Sequence, residues 1–201
     1  MQDKIDSVCA YWFEGVTPTS IPKAANQRWF GGGTELDDEI RQRFGSWVEL
    51  AAAGDFDHWQ NSPNGTLALL ILLDQFPLNI YRGTARAYAY EQKALNYCHA
   101  GLKNQQDQSL NYAERIFFYM PLEHSEDIAD QQRAVELFGS LLESAPAGLR
   151  EHAQGTLDYA IRHRDIIQQF GRFPHRNAVL GREQTPEESE FLEDRSNRFG
   201  Q

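Results

Sequence analysis

The chain of 201 residues carries 29 acids against 19 lysines and arginines, a net charge of −10, and that negative field excludes general nucleic-acid or anionic-membrane binding, since both need a positive one. At 41% apolar and 12% aromatic residues it has the material for a buried core and is not a disordered chain, and its length suits one domain. The two cysteines, Cys9 and Cys98, form no Cys-x-x-Cys pair, which removes zinc-ribbon and thioredoxin-type readings and suits a reducing cytoplasm.

Asp3 is placed to cap a first helix with Ile5, Val8, Cys9, Trp12 and Phe13 on one face, ended by Gly15 and Pro18. The start, with Asp3, Lys4 and Asp6, lacks the basic head and apolar run of a signal peptide. The longest apolar run, Leu67–Leu73, is far too short for a membrane span. A cytoplasmic protein is expected. Gly31 to Gly33 have no preceding strand and no following Lys-Ser/Thr pair, so they read as a flexible lead-in and not a phosphate loop. Thr34 is expected to cap the next helix, with Leu36, Ile40, Phe44, Trp47, Val48 and Ala51 as its stripe and Gly54 as its end.

Ser62-Pro63 is a helix start, serine as cap and proline in the first turn. The stretch Thr66 to Phe76 is apolar on every side and must be buried. Asp74 falls in its last turn, where a desolvated carboxylate needs a donor; it either caps a neighbouring element or lines a site. Pro77 to Gly83 reads as a turn, and Thr84 as the cap of a helix to about Ala100, with Gly101 beyond its end. Ser109 starts another nearly all-apolar helix, closed by Pro121, and Ser125 is expected to cap the next, broken by Pro146 and Gly148. A helix from about Leu149 to Phe170 ends at Gly171. Thr185-Pro186-Glu187-Glu188 is a capping box for a last helix docked by Phe191 and Leu192, and the polar tail after Asp194, residues 195–201, is expected to fray.

No segment alternates with period two between turn signals, so the chain reads as all-α: one compact domain, 1–201, of stacked helical hairpins over 63–100, 109–144 and 149–196. Phe76-Pro77 and Met120-Pro121 end two central helices 44 residues apart. The tetratricopeptide consensus is absent.

Between Arg162 and Arg182 lie five arginines and two histidines against one acid, Asp165. On a helix over 157–170, Leu157, Tyr159, Ala160, Ile161, Ile166, Ile167 and Phe170 cover one face, and His163 and Arg164 fall inside it. Polar groups in such a face must be paired. They either fix packing against Asp74, Glu123 or carbonyl groups, or floor a polar pocket. In the loop that follows, Arg172, His175 and Arg176 can clamp a carboxylate or phosphate, or tie the last helix to the body. His163-Arg164-Asp165 matches the kinase tripeptide by accident, because Phe170 stands where that pattern needs Asn. There is no Gly-x-Ser-x-Gly, no His-Glu-x-x-His and no histidine pair at helical spacing, so no metal and no cofactor is assigned.

The expected site is a polar pocket lined by Asp74, Asn79, Arg82, Glu123, His124, His163, Arg164, Arg172, His175, Arg176 and Asn177. A binding module for a small anion or an acidic peptide end is the first reading. The second is an enzyme with His124, His163 or His175 as proton carrier; the third is an assembly protein whose polar cluster ties helices together.

Tyr11-Trp12-Phe13, Arg28-Trp29-Phe30, Leu73 to Pro77 (LDQFP), Arg82 to Ala85 (RGTA), Phe117 to Ser125 (FFYMPLEHS), His163 to Asp165 and Gly171 to Asn177 (GRFPHRN) followed by Leu180-Gly181-Arg182 resemble, in order and over nearly the whole chain, a widespread family of mainly bacterial proteins called domain of unknown function 924. The resemblance implies an all-helical, tetratricopeptide-like fold and no established activity. The family commonly has Arg after the Asp-Gln-Phe-Pro motif; this chain has Leu78.

Overall fold

A computed structural model describes residues 2–199, so the last two residues of the tail expected to fray lie outside it. The all-α expectation is met. Ten α-helices are labelled in chain order: α1 Gln2–Trp12, α2 Lys23–Asn26, α3 Thr34–Ala53, α4 Pro63–Leu70, α5 Phe76–Ile80, α6 Glu91–Lys103, α7 Tyr112–Glu123, α8 Ile128–Glu143, α9 Arg150–Phe170 and α10 Pro186–Phe191. Short helical turns join several of them. Among the described residues the sole β-type pairing is an isolated bridge, Thr17 to Ser20. Among the described residues no helix is long and apolar enough to cross a membrane.

One hydrophobic core holds the helices together, and its centre is α4 with the turn after it: Leu67 to Leu73 are all fully buried. The helix packs on α1, α6 and α7. Trp12, Phe13, Trp29, Phe76 and Phe117 meet edge-on above it, with ring centroids 4.9–6.0 Å apart, the geometry that aromatic quadrupoles favour. In the second half α8 packs on both α7 and α9. A smaller cluster of Ile166, Ile167 and Phe173, flanked by Phe170, Phe191 and Phe199, seats the C-terminal segment.

The ends of the buried helices are closed by side chains from elsewhere, because their last carbonyls have no partner within the helix. Lys93 donates to the carbonyls of Ala51 and Ala52 at the end of α3. Arg41 donates to Ile80 at the end of α5. Gln131, fully buried on α8, donates to the carbonyls of Glu123 at 2.6 Å and Ser125 at 2.7 Å, and so holds the end of α7.

Several expected boundaries shift, each for a physical reason. Ser62 does cap α4, accepting from the Gly65 amide. The chain does not turn at Pro77, however. Ile71–Gln75 is a π-helical turn, in which the Phe76 amide donates to Ile71, and a further helical segment follows with Pro77 in its first turn. There the missing proline N–H costs nothing. Thr34 is not a cap; α3 begins directly after Gly32 and Gly33, whose φ values of 61° and 133° suit glycine. Thr84 precedes a short turn, and α6 begins only at Glu91. Asn111, with Glu114, caps α7 in place of Ser109, and the helix continues through Pro121 to Glu123. Asp127 caps α8 in place of Ser125. Arg195–Arg198 is a helical turn and Phe199 packs on Tyr159, so this part of the tail is seated.

Gly101 lies inside α6, where the ring of Phe118 presses on it; an added Cβ would stand 2.5 Å from Phe118 Cζ. Gly139 in α8 has open space around it. Opposite effects are expected: Gly101→Ala destabilises by about 1–3 kcal/mol through overpacking, and Gly139→Ala stabilises by about 0.5–1 kcal/mol through helix propensity. Urea unfolding midpoints of the two variants check this.

Candidate functional site

Seven segments converge on a cavity of about 440 Å³. The turn Gln27–Gly31 supplies Trp29 and Phe30. The π-helical turn and α5 supply Gln75, Leu78 and Asn79, and the chain after them supplies Arg82 and Tyr88. The end of α7 supplies Met120, Glu123 and His124. Tyr159 and His163 come from α9, His175 and Arg176 from the loop after it, and Arg195, Ser196 and Phe199 from the C-terminal segment. The wall is therefore mixed, aromatic at its rim and charged within.

Asp74 lies behind the cavity wall, 1% exposed. Its carboxylate takes a hydrogen bond from Gln75 Nε2 on one oxygen and stands 2.9 Å from His124 Nδ1 on the other. Burial works against a charged His124, but Asp74 beside it, with Glu91 and Glu123, outweighs burial and raises the imidazole to about 9. The second histidine–carboxylate pair behaves differently. His163 Nδ1 lies 3.1 Å from Glu123 and 2.9 Å from the Tyr159 carbonyl. Burial dominates here, pushing Glu123 up to about 7 and His163 down to about 3. His163 is neutral and donates through Nδ1–H. His175, whose Nδ1 is buried without a partner among the described residues, is lowered to about 3 by burial and by nearby Arg176, His124 and Arg182.

Arg176 is 6% exposed. Its guanidinium lies over the rings of Tyr88 and Phe173, 4.6 and 4.5 Å from their centroids. Nη1 donates to Glu91 at 2.9 Å, while Nε is buried with no partner among the described residues. Glu91 is raised to about 7 by burial, against the pull of Arg176 and His124. On another wall, Arg82 reaches Asp37 through Nε at 2.8 Å and Nη2 at 3.0 Å, and Asn79 donates to the same carboxylate. Burial opposes charge on Asp37, but these donors hold its carboxyl below the usual range.

Eight of the expected residues thus gather at the cavity: Asp74, Asn79, Arg82, Glu123, His124, His163, His175 and Arg176. Three do not. Arg164 is turned by one residue, about 100°, away from His163, and pairs with Asp165 at the surface. Arg172 and Asn177 bind Glu188 of the α10 capping box, Arg172 at 2.6 Å and 2.9 Å and Asn177 at 3.1 Å. They tie the last helix to the body. Arg182 likewise holds Glu126, which also accepts from the Phe173 amide. Glu91, Tyr88, Phe30 and the C-terminal Arg195 and Phe199 were outside the expected set. An acid in a helix's first turn is ordinary and gives no sign of a site; Arg28-Trp29-Phe30 was visible only as a motif. Leu78 lines the cavity as well.

Asp74, Glu91 and His124 each offer one ligand atom, these atoms lying within 4.8 Å of one another, a set that can hold a metal ion. No sequence spacing reveals this trio, since it joins a π-helical turn, the start of α6 and the end of α7.

The family model for bacterial proteins of unknown function, DUF924, matches residues 8–196. A solved structure of a protein of unknown function from Agrobacterium tumefaciens is similar to this chain, with a TM-score of 0.82 and 37% identity over 96% of this chain and 98% of that one. No curated protein matches.

Glu188 offers a check on the structural tie. The hydrogen bond from Arg172, helped by the Thr185 amide and Asn177 against a smaller burial effect, lowers it from 4.5 to about 2. A carboxyl depressed in the folded state stabilises the fold above its unfolded pKa and loses that contribution as pH falls towards the folded value. Glu188→Gln is therefore expected to lower Tm at neutral pH, with the difference from wild type shrinking between pH 4.5 and 2. Thermal unfolding of both proteins across that window measures it.

Proposed function

The chain belongs to DUF924, a family of bacterial proteins of unknown function, and we propose that this member is a binding protein whose cavity takes a small organic anion of the carboxylate class. The observation that carries this reading is Arg176. Arginine has five N–H donors in a fixed fork suited to carboxylates. Arg176 is buried, lies within 4.6 Å of the centroids of two aromatic rings, and makes one hydrogen bond among the described residues. His124, whose pKa its acidic neighbours raise, lines the same cavity, and Arg195 at the rim has no partner among the described residues. Phe30, Trp29, Met120 and Phe199 supply an apolar side for the rest of the ligand. A cavity of about 440 Å³ suits a metabolite-sized molecule.

The hydrogen bond between Asp74 and His124 favours a second reading, acid–base catalysis on the bound molecule. An Asp on one ring nitrogen fixes the orientation and tautomer of the other, as proton-transfer sites require. Proton magnetic resonance of a bound acid in heavy water separates the two readings: exchange of a carbon-bound hydrogen, lost in His124→Gln, supports catalysis, and its absence leaves binding alone.

Calorimetric titration of chelator-treated protein with short carboxylic acids bearing branched or aromatic tails, each beside its amide, tests the first reading. Acids are expected to bind and amides not. Arg195→Ala, which disturbs no contact among the described residues, is expected to weaken binding by roughly 2–5-fold, about 0.5–1 kcal/mol for an exposed charge pair, with Tm unchanged. Equal binding of acids and amides, or none of either, overturns the reading.

A further inference from the structure

We propose that Asp74, Glu91 and His124 form a binding site for a divalent first-row transition-metal ion just behind the cavity wall that His124 lines. The three come from separate elements that the core locks in place: the π-helical turn Ile71–Gln75, the first residue of α6 and the residue after α7. Their ligand atoms lie within 4.8 Å of one another. An ion with bonds of about 2.1 Å holds its donor atoms roughly 3–4 Å apart, so small side-chain rotations close the set around it.

The hydrogen bonds around the three divide each carboxylate in the way a metal site does. Gln75 Nε2 donates to Asp74 Oδ2, leaving Oδ1 on the His124 side. Arg176 Nη1 donates to Glu91 Oε2, leaving Oε1 buried with no partner among the described residues. Outer donors that fix one oxygen of a ligating carboxylate, and so aim the other, are a general property of metal sites. A buried carboxylate oxygen without a donor is costly unless a ligand satisfies it. Two carboxylates and one imidazole suit manganese, iron, cobalt or zinc in the divalent state, the carboxylates matching the ion's charge. Three protein ligands leave the ion short of four-coordination, and of the three only His124 lines the cavity.

The π-helical turn supports the same assignment. It holds Asp74, 1% exposed, in an otherwise apolar buried segment, with one carboxylate oxygen on the His124 side. Such turns recur at functional sites.

The site does not depend on the anion reading, because the ion alone is the ligand. The full chain, stripped with chelator and then dialysed, is titrated with manganese, cobalt and zinc salts while stoichiometry and Tm are followed. One ion per chain is expected, with a rise in Tm and, for cobalt, a visible absorption band. Glu91→Gln keeps the size of the side chain and an acceptor for Arg176; it is expected to weaken binding at least ~10–100-fold, and Gln75→Leu by a factor of the same order. Circular dichroism confirms that each variant is folded. Asp74→Asn is expected to abolish binding. His99→Ala removes a surface pair with Asp130 and is expected to change nothing. The proposal is overturned if no ion binds the wild type, or if binding survives Glu91→Gln and Asp74→Asn, or if it disappears with His99→Ala. None of these outcomes touches the anion reading, which is measured on metal-free protein through Arg195.

Discussion

A carboxylate 1% exposed in the most apolar helix of the molecule is the constraint around which the second half of the chain is arranged. Asp74 needs a donor, and His124 supplies it from the end of α7. Removing one partner of such a buried pair costs roughly 3–5 kcal/mol, so the end of α7 has little freedom to move. Gln131 fixes it further by donating to the last carbonyls, at no exposure of its own. His124, so held, faces Glu91, and Glu91 holds Arg176. The loop after α9 is thereby referred, through two hydrogen-bonded pairs and the charge interaction between His124 and Glu91, to a segment more than a hundred residues earlier.

The arginines divide into two kinds of work. Arg172 and Arg182 meet Glu188 and Glu126 and anchor the loop that carries His175 and Arg176. Arg82 closes on Asp37 and braces the opposite wall. Arg176 is different in that two aromatic rings, not a second acid, complete its surroundings. Fifteen of the nineteen basic residues are arginine, and both uses suit it: a planar fork serves partly buried pairs and stacks on rings, which an ammonium does less well.

The helical architecture was legible because its helices show a clean apolar stripe or are apolar throughout, and capping residues such as Ser62 and the Thr185 box mark their starts. What was not legible came from tertiary context. Pro77 looked like a terminus, and only a π-helical turn before it lets a helix resume. Gly101 looked like an end and is a contact point for Phe118. At the site, Asp74 and His163 stood out as polar groups among apolar neighbours, a signal with a direct energetic meaning, whereas His124 sits among the polar residues Glu123, Ser125 and Glu126. Arg164 shared that signal, but a helical wheel does not resolve a residue at the margin of a face, and it pairs with Asp165 outside. Glu91 gave none, since acids are common in a first turn; its burial is a product of the loop that returns from α9.

The π-helical turn at Ile71–Gln75 has a consequence for how the cavity is indexed. A π turn is one residue more than an α turn, and one residue is about 100° of rotation and 1.5 Å of advance. The turn is thus a phase shifter between the two halves of one rod. Upstream, the apolar residues of α4 keep their contacts with α1, α6 and α7. Downstream, Asn79 is rotated onto Asp37, and Leu78 onto the cavity. A regular helix of the same sequence would serve one set of neighbours and misdirect the other. Gaining or losing a single residue within 71–75 would therefore uncouple the Asp37 wall from the Asp74 wall while leaving the composition of both intact, so the register of this segment matters to the cavity as much as the identity of the residues that line it.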